Sequence, residues 1–327
     1  MKTKKFLLAV VTLFLALVTG AQAQNKVRLN WTAVTGAQSG AYVAQEEGLF
    51  KKHGLDMELI HIASSSRGIQ AILAGEIGFS YMDGNNAIQA NLKGAGLALV
   101  AGATNRMVFS LMARPEIKKI ADLRGKKIGI TRVGSSTHTS ALYALGQAGL
   151  KPSDYQILPL LEVPNIFTAL VAGQVDAGVV SPPTNSRARK AGFNELMNIA
   201  KEGPEYVSVA IGTTRAYIKA NEDTVRRVVR AYAEGVHLFR NNKQVRIKML
   251  GKYTKVKEQD ILEDAYNQFQ EYLQTPPYVS RKGVEAILAE VGEKEPAARQ
   301  IKADDVIDMR FVTELEKEGF FKKLGGK

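Results

Sequence analysis

The stretch IGITRVGSSTHTSALYAL, residues 128–145, runs from alternating apolar residues into glycine and hydroxyls, then into an apolar repeat of helical spacing. It reads as a strand, a polar turn and a helix. Gly134, Ser135, Ser136, Thr137 and Thr139 all crowd onto that one turn. Ser135 or Ser136 can act as an N-cap, accepting a hydrogen bond from a free N–H of the first helical turn. The same free N–H groups attract anions, and a glycine allows close approach. The turn is therefore a helix cap, half of a binding site, or both.

The strand, turn and helix order recurs outward from this stretch. Val27 to Trp31 reads as a strand, Gly36-Ala37-Gln38-Ser39 as a turn and Ala41 to Phe50 as a helix. Met57 to Ile62 is a second strand, followed by Ser64-Ser65-Ser66-Arg67 and a helix over Gly68 to Ala74. Ile77 to Tyr81 is a third, followed by Asp83-Gly84-Asn85-Asn86 and a helix through Leu92. Such alternation predicts an α/β fold with a largely parallel sheet, whose ligands bind beyond the carboxyl ends of the strands.

An internal repeat accompanies the alternation. AILAGEIGFS (71–80) matches ALVAGQVDAG (169–178) at an offset of 98 residues. The same offset carries Gly36–Ser39 onto Gly134–Thr137, Ser64–Arg67 onto Glu162–Asn165, and Met82–Asn86 onto Val180–Thr184. Two similar α/β lobes with facing turns are expected. Pro115 favours extended chain before it and marks a boundary near Ala113-Arg114. The extended run Tyr206–Thr213 carries the chain back. The expected division is residues 24–114 with 210–327 in the first lobe and 115–209 in the second.

The start of the chain reads as a secretory signal, residues 1–23. Lys2, Lys4 and Lys5 precede an apolar core from Phe6 to Val18, and Ala21-Gln22-Ala23 forms a small-residue cleavage site. The apolar core is shorter than the ~20 residues a membrane span needs. There is no cysteine, which excludes disulfides, thiolate metal sites and a lipid-bearing N-terminal cysteine. A soluble, exported, unanchored chain points to the periplasm.

The chain carries 44 Lys and Arg against 32 Asp and Glu, a net charge of +12, three of it in the leader. Small anions, anionic membranes and nucleic acid are the partners such a balance suggests. Export argues against nucleic acid, and the aromatic residues are not interleaved with the basic ones as in strand-binding grooves.

AYVAQEEGLFKKHGLDMELI (41–60), Ala74-Gly75-Glu76, DLRGKKIGI (122–130), ALVAGQVDA (169–177) and Ala191-Gly192-Phe193 together resemble one family. It is the nitrate/sulfonate/taurine and thiamine-pyrimidine type of ABC-transporter solute-binding protein. The resemblance covers nearly the whole chain after the leader. It implies a type II periplasmic-binding-protein fold: two lobes, two extended crossovers and a ligand cleft that closes by a hinge. It also implies a membrane permease and a cytoplasmic ATPase as partners. The thiamine-pyrimidine branch tends to follow its tryptophan with a Pro-Asn/His run. Thr32-Ala33-Val34-Thr35 stands here instead.

The expected ligand residues are those of the turns. In the first lobe they are Trp31, Gln38, Ser39, Ser65, Ser66, Arg67, Asp83 and Asn85. In the second they are Gly134, Ser135, Ser136, Thr137, Asn165, Ser181 and Pro182. Arg67 could clamp a carboxylate or sulfonate in a bidentate pair, or be a solvated arginine. Trp31 could stack on a flat ring, or pack beneath the first turn. Asp83 suits a cap or turn role better than a ligand contact. Arg187, Arg189 and Lys190 read as solvated surface. The histidines at 53, 61, 138 and 237 show no metal-ligand spacing. With no nucleophile elbow, phosphate loop or dinucleotide fingerprint, no catalytic role, metal or cofactor is expected. A monomeric receptor for a small organic anion, a sulfonate or carboxylate, is the leading expectation, with an uncharged pyrimidine-like ligand or an exported enzyme as rivals.

Overall fold

A computed structural model describes residues 26–325. The expected signal peptide lies outside the described residues. Among the described residues no helix is long and apolar enough to cross a membrane.

The first sheet is built by β1 (Val27–Trp31), β2 (Met57–His61) and β3 (Phe79–Met82), linked by helices α1 (Ser39–Glu46) and α2 (Ser65–Leu73). Helix α3 (Gly84–Asn91) then leads to β4 (Leu97–Arg106). The expected single helix from Ala41 to Phe50 is broken. Gly48 takes φ +67, a left-handed conformation open to glycine, and a short helix Leu49–Lys52 restarts after it.

The second sheet repeats the plan. Strand β5 (Ser110–Ala113) enters it, followed by β6 (Lys127–Ile130), α4 (Ser136–Gln147), β7 (Gln156–Pro159), α5 (Val163–Val171), β8 (Ala177–Val180), α6 (Thr184–Lys190) and β9 (Asn194–Asn198). The chain then returns through β10 (Glu205–Thr214) to the first sheet.

Strand order is β2-β1-β3-β10-β4 in one sheet and β7-β6-β8-β5-β9 in the other. In each, three parallel strands abut an antiparallel strand. Helices α2 and α5, and strands β3 and β8, begin and end 98 residues apart. The internal repeat is thus a repeat of folded lobes, and the two-lobed α/β expectation holds.

The lobe boundaries fall earlier than expected on both crossings. Ser110–Ala113 already belongs to the second sheet, where all four residues are buried and pair with β8 and β9. The chain therefore crosses at residues 107–109, not after Arg114. It recrosses at residues 199–204, since β10 pairs with β4 from Glu205 onward. At the first crossing the apolar run continues through Met107-Val108-Phe109, so composition does not change where the sheet does; the second passes through Lys201-Glu202-Gly203-Pro204, just before the extended run begins.

The remaining helices flank the first lobe: α7 (Glu222–Asn241), α8 (Lys243–Thr254), α9 (Gln259–Tyr272), α10 (Arg281–Lys294) and α11 (Arg310–Lys317). Helix α7 lies against α1 at a glycine crossing. A Cβ on Gly235 would stand 2.2 Å from the Gly40 carbonyl oxygen, and one on Gly40 2.5 Å from the Tyr232 ring. Only the missing side chains let the two backbones approach so closely.

Helix α9 reaches across to the second lobe. Arg189 binds Asp264 at 2.6 Å, Lys190 binds Asp260 at 2.6 Å, and Arg187 lies 4.0 Å from Glu258. The basic cluster is therefore not free solvated surface. Beside it the buried Asn185 donates to Ser110 and to Gln268, joining α6, β5 and α9.

Candidate functional site

A cleft between the sheets holds about 710 Å³, counting the part open to solvent. Four helices of eight or more residues begin on it: α1 and α2 from the first lobe, α4 and α5 from the second. Their first N–H groups have no intrahelical partner, and their dipoles place partial positive charge toward the cleft. The backbone N–H groups of Ser65, Ser66, Ser136 and Thr137 have no partner among the described residues.

The opening stretch forms one wall. Gly134 adopts φ +78 and turns the chain into α4. Ser135 is the N-cap and accepts from the His138 N–H at 3.4 Å. Its hydroxyl also bonds Thr137 at 2.8 Å and the Arg132 carbonyl at 2.7 Å. Thr137 accepts from the Thr131 N–H at 2.9 Å. Ser135, Ser136 and Thr137 all line the cleft, so the turn is both a cap and a cleft wall. Ser136 has a hydroxyl that makes no bond within the protein, leaving it available to a solute.

Opposite, the buried Gln38 lines the cleft but is tied down, since its side chain exchanges two 2.9 Å bonds with Thr32. Ser65 lines it too, and accepts a 3.3 Å bond from the Asp83 N–H. Ser181 closes the far side. These five serines and threonines and Gln38 are the expected residues that the fold brings together.

The other expected residues stand elsewhere. Arg67 is exposed on an outer groove with His61 and Gln70, away from the cleft. Ser66 is exposed and meets Ser64 at 3.1 Å. Trp31 stacks on His61, with ring centroids 3.9 Å apart, and meets Tyr42 and Tyr253 edge-on. Its ring is occupied by these three contacts, and it does not line the cleft. Asp83 caps α3, accepting from the Asn86 N–H at 2.8 Å. Burial raises the Asp83 carboxyl pKa against these hydrogen bonds. Asn165 is exposed and donates to the Leu160 carbonyl at 2.9 Å. Ser39 and Pro182 are buried beside the cleft, Asn85 is half-buried, and Gly134 is exposed at its mouth, where its carbonyl accepts from Asn86.

Several lining residues lie outside the expected set. Thr104 and Ser208 come from the long strands β4 and β10, and Val108 and Phe109 from the first crossing. Met82, Leu161 and Val163 add apolar surface. Glu162 precedes α5 on a turn the repeat had aligned with Ser64.

Among the described residues no Lys or Arg lines the cleft, and Glu162 is the one ionisable lining group. Burial raises the pKa of the Glu162 carboxyl; Arg132 and the Val34 N–H act in the other direction. His61 lies 3.7 Å from it, too far for a hydrogen bond. His138 spends its Nδ1 accepting from the Gly134 N–H at 3.0 Å, so that nitrogen is not aimed at a serine. Among the described residues no group of His, Cys, Asp and Glu is placed to hold a metal ion.

Two α/β lobes around a cleft lined by helix N-termini define a periplasmic-binding-protein fold. The chain belongs to the NMT1/THI5-like family, whose model matches residues 37–244. A protein of Brucella abortus strain 2308, described as a candidate binding protein, is 29% identical over 274 residues, 82% of this chain and 83% of that one. A candidate aliphatic sulfonates-binding protein of Escherichia coli K12 is 26% identical over 222 residues, 65% of this chain and 67% of the other. Among solved structures, the alkanesulfonate-binding protein of Xanthomonas axonopodis bound to MOPS superposes with a TM-score of 0.72 at 21% identity. It covers 87% of this chain and 98% of its own.

Proposed function

We propose that this chain is an exported solute receptor of an ABC importer, taking a small organic anion into the cleft by hinge closure. A membrane permease and its cytoplasmic ATPase are the partners this reading implies. The observation that carries it is the convergence of the α2 and α4 N-termini, with Ser65, Ser136 and their unpartnered N–H groups, on one cleft. Neutral donors of this kind hold an oxyanion without a countercharge. Met82, Val108, Phe109, Leu161 and Val163 offer the rest of the molecule an apolar bed. The relatives described as sulfonate-binding support a sulfonate head group. Arg67 plays no part in this binding, since it faces the outer groove.

A second reading has support of its own. Phe109 lines a cleft without a lysine or arginine, and an uncharged ring could lie on it. Phe109, rather than Trp31, would be its platform.

A thermal-shift panel of sulfonates, carboxylates, nitrate and pyrimidines separates the two. A ligand at ~100 times its dissociation constant stabilises by ~2.7 kcal/mol, a clear rise in Tm. Shifts confined to sulfonates or carboxylates support the anion receptor. Shifts confined to ring compounds overturn it in favour of the second reading.

A further inference from the structure

Among the described residues ten buried side-chain polar atoms have no hydrogen-bond partner, and two of them, both hydroxyls, belong to residues that line the cleft. Thr104 is fully buried on β4 of the first lobe, and Ser181 is 3% exposed just after β8 of the second. Both line the cleft, and neither Thr104 Oγ1 nor Ser181 Oγ makes a bond within the protein. Native interiors leave few polar groups in this state. Several other buried or half-buried polar side chains of the cleft are bonded within the protein. Thr131, Ser135 and Thr137 bond one another, and Gln38 bonds Thr32. Both orphans also stand near the crossings: Thr104 lies two residues from the end of β4, and Ser181 follows Val180, which pairs with Ser110 at the start of β5.

We propose that Thr104 and Ser181 form a second polar subsite, which reads an uncharged hydrogen-bonding group on the ligand. The inference rests on the anion-receptor reading for the head group and adds a requirement to it. The ligand is an organic anion that also bears a hydroxyl, carbonyl or amide, not a plain alkyl chain or a bare inorganic anion. A hydroxyl serves both orphans at once, as donor to one and acceptor from the other. Because they belong to different lobes, one group satisfies both only when the lobes are closed. Such a ligand has greater affinity for the closed form, and only differential affinity drives closure.

The test is calorimetric titration of two- to four-carbon alkanesulfonates and their terminally hydroxylated counterparts. The proteins are the mature chain, Thr104→Val and Ser181→Ala. Wild type should favour the hydroxylated member of at least one pair by tenfold or more, and each variant should bring that ratio toward one. Equal binding of every pair by wild type, or an unchanged ratio in both variants, overturns the subsite while leaving the anion receptor intact. If no sulfonate binds, the head-group reading fails, and melting of the unliganded proteins still judges the hydroxyls. Each substitution removes a hydroxyl with no partner, so Tm should hold or rise. A fall in both variants shows that the protein already satisfies the hydroxyls and overturns the proposal.

Discussion

Asn86 of the first lobe donates a hydrogen bond to the carbonyl of Gly134 in the second, 3.0 Å across the mouth of the cleft. The bond joins the start of α3 to the turn before α4, and it exists only while the lobes are together. On the proposed hinge closure, Asn86→Ala removes this bond from the closed form, about 0.5–1.5 kcal/mol, whereas the 2.8 Å bond from Asn86 to the Asp83 carboxylate, within the first lobe, is lost from open and closed forms alike. The dissociation constant for the solute should rise roughly 2- to 12-fold. Stopped-flow kinetics should place most of the change in the off-rate.

Ser135 and Ser136 are neighbours, the first bonded within the protein and the second with a free hydroxyl, which separates capping from ligand contact. Ser135→Ala removes the N-cap of α4 and its bonds to Thr137 and Arg132. It should destabilise the unliganded protein by about 1 kcal/mol. Ser136→Ala breaks no bond within the protein, so its Tm should stay within a degree or two while solute affinity falls. Urea unfolding paired with titration of both variants checks the contrast.

Glu162 should make stability depend on pH in a predictable direction. Burial raises its pKa in the folded chain, so the folded state prefers the protonated carboxyl. The cost of ionisation is absent below the unfolded value, roughly 4.3, and grows as pH rises through the folded one. Glu162→Gln removes that cost. The variant should match wild type near pH 4 and exceed it in denaturant midpoint at pH 7. A variant less stable than wild type at pH 7 would mean that Arg132 and the Val34 N–H outweigh burial.

The crossing of α1 and α7 tolerates no added methyl. With a Cβ 2.2 Å from the Gly40 carbonyl, Gly235→Ala must push the helices apart. Overpacking of this kind costs about 1–3 kcal/mol. Thermal melting should show the loss, and the same substitution at the exposed Gly146, where a Cβ meets nothing within 4 Å, should not.

What the sequence made legible was local. Gly134 to Thr137 could be read as a turn opening a helix because capping depends on adjacent residues. The offset of 98 residues held because each lobe builds the same strand and helix from the same pattern. What it hid was direction and pairing. Ser65 and Arg67 are two apart on one helix, so they face different ways, and Ser65 meets the cleft while Arg67 meets the outer groove. Trp31 lies opposite His61 in the β1–β2 register, a long-range fact that no local pattern announces. Thr104, Phe109 and Ser208 sit on or beside the crossing strands, where their neighbours look like ordinary core. Glu162 and Asn165 share the one turn aligned with Ser64–Arg67, yet Glu162 lines the cleft while Asn165 bonds the Leu160 carbonyl.

On the proposed function a solute head group binds at the α4 turn, held by neutral donors and not by an arginine. The most direct measurement is titration of one alkanesulfonate that stabilises wild type into wild type, Arg67→Ala and Ser136→Ala. Wild type and Arg67→Ala should bind it with equal affinity, and Ser136→Ala more weakly. Loss of binding in Arg67→Ala with Ser136→Ala unaffected would contradict it.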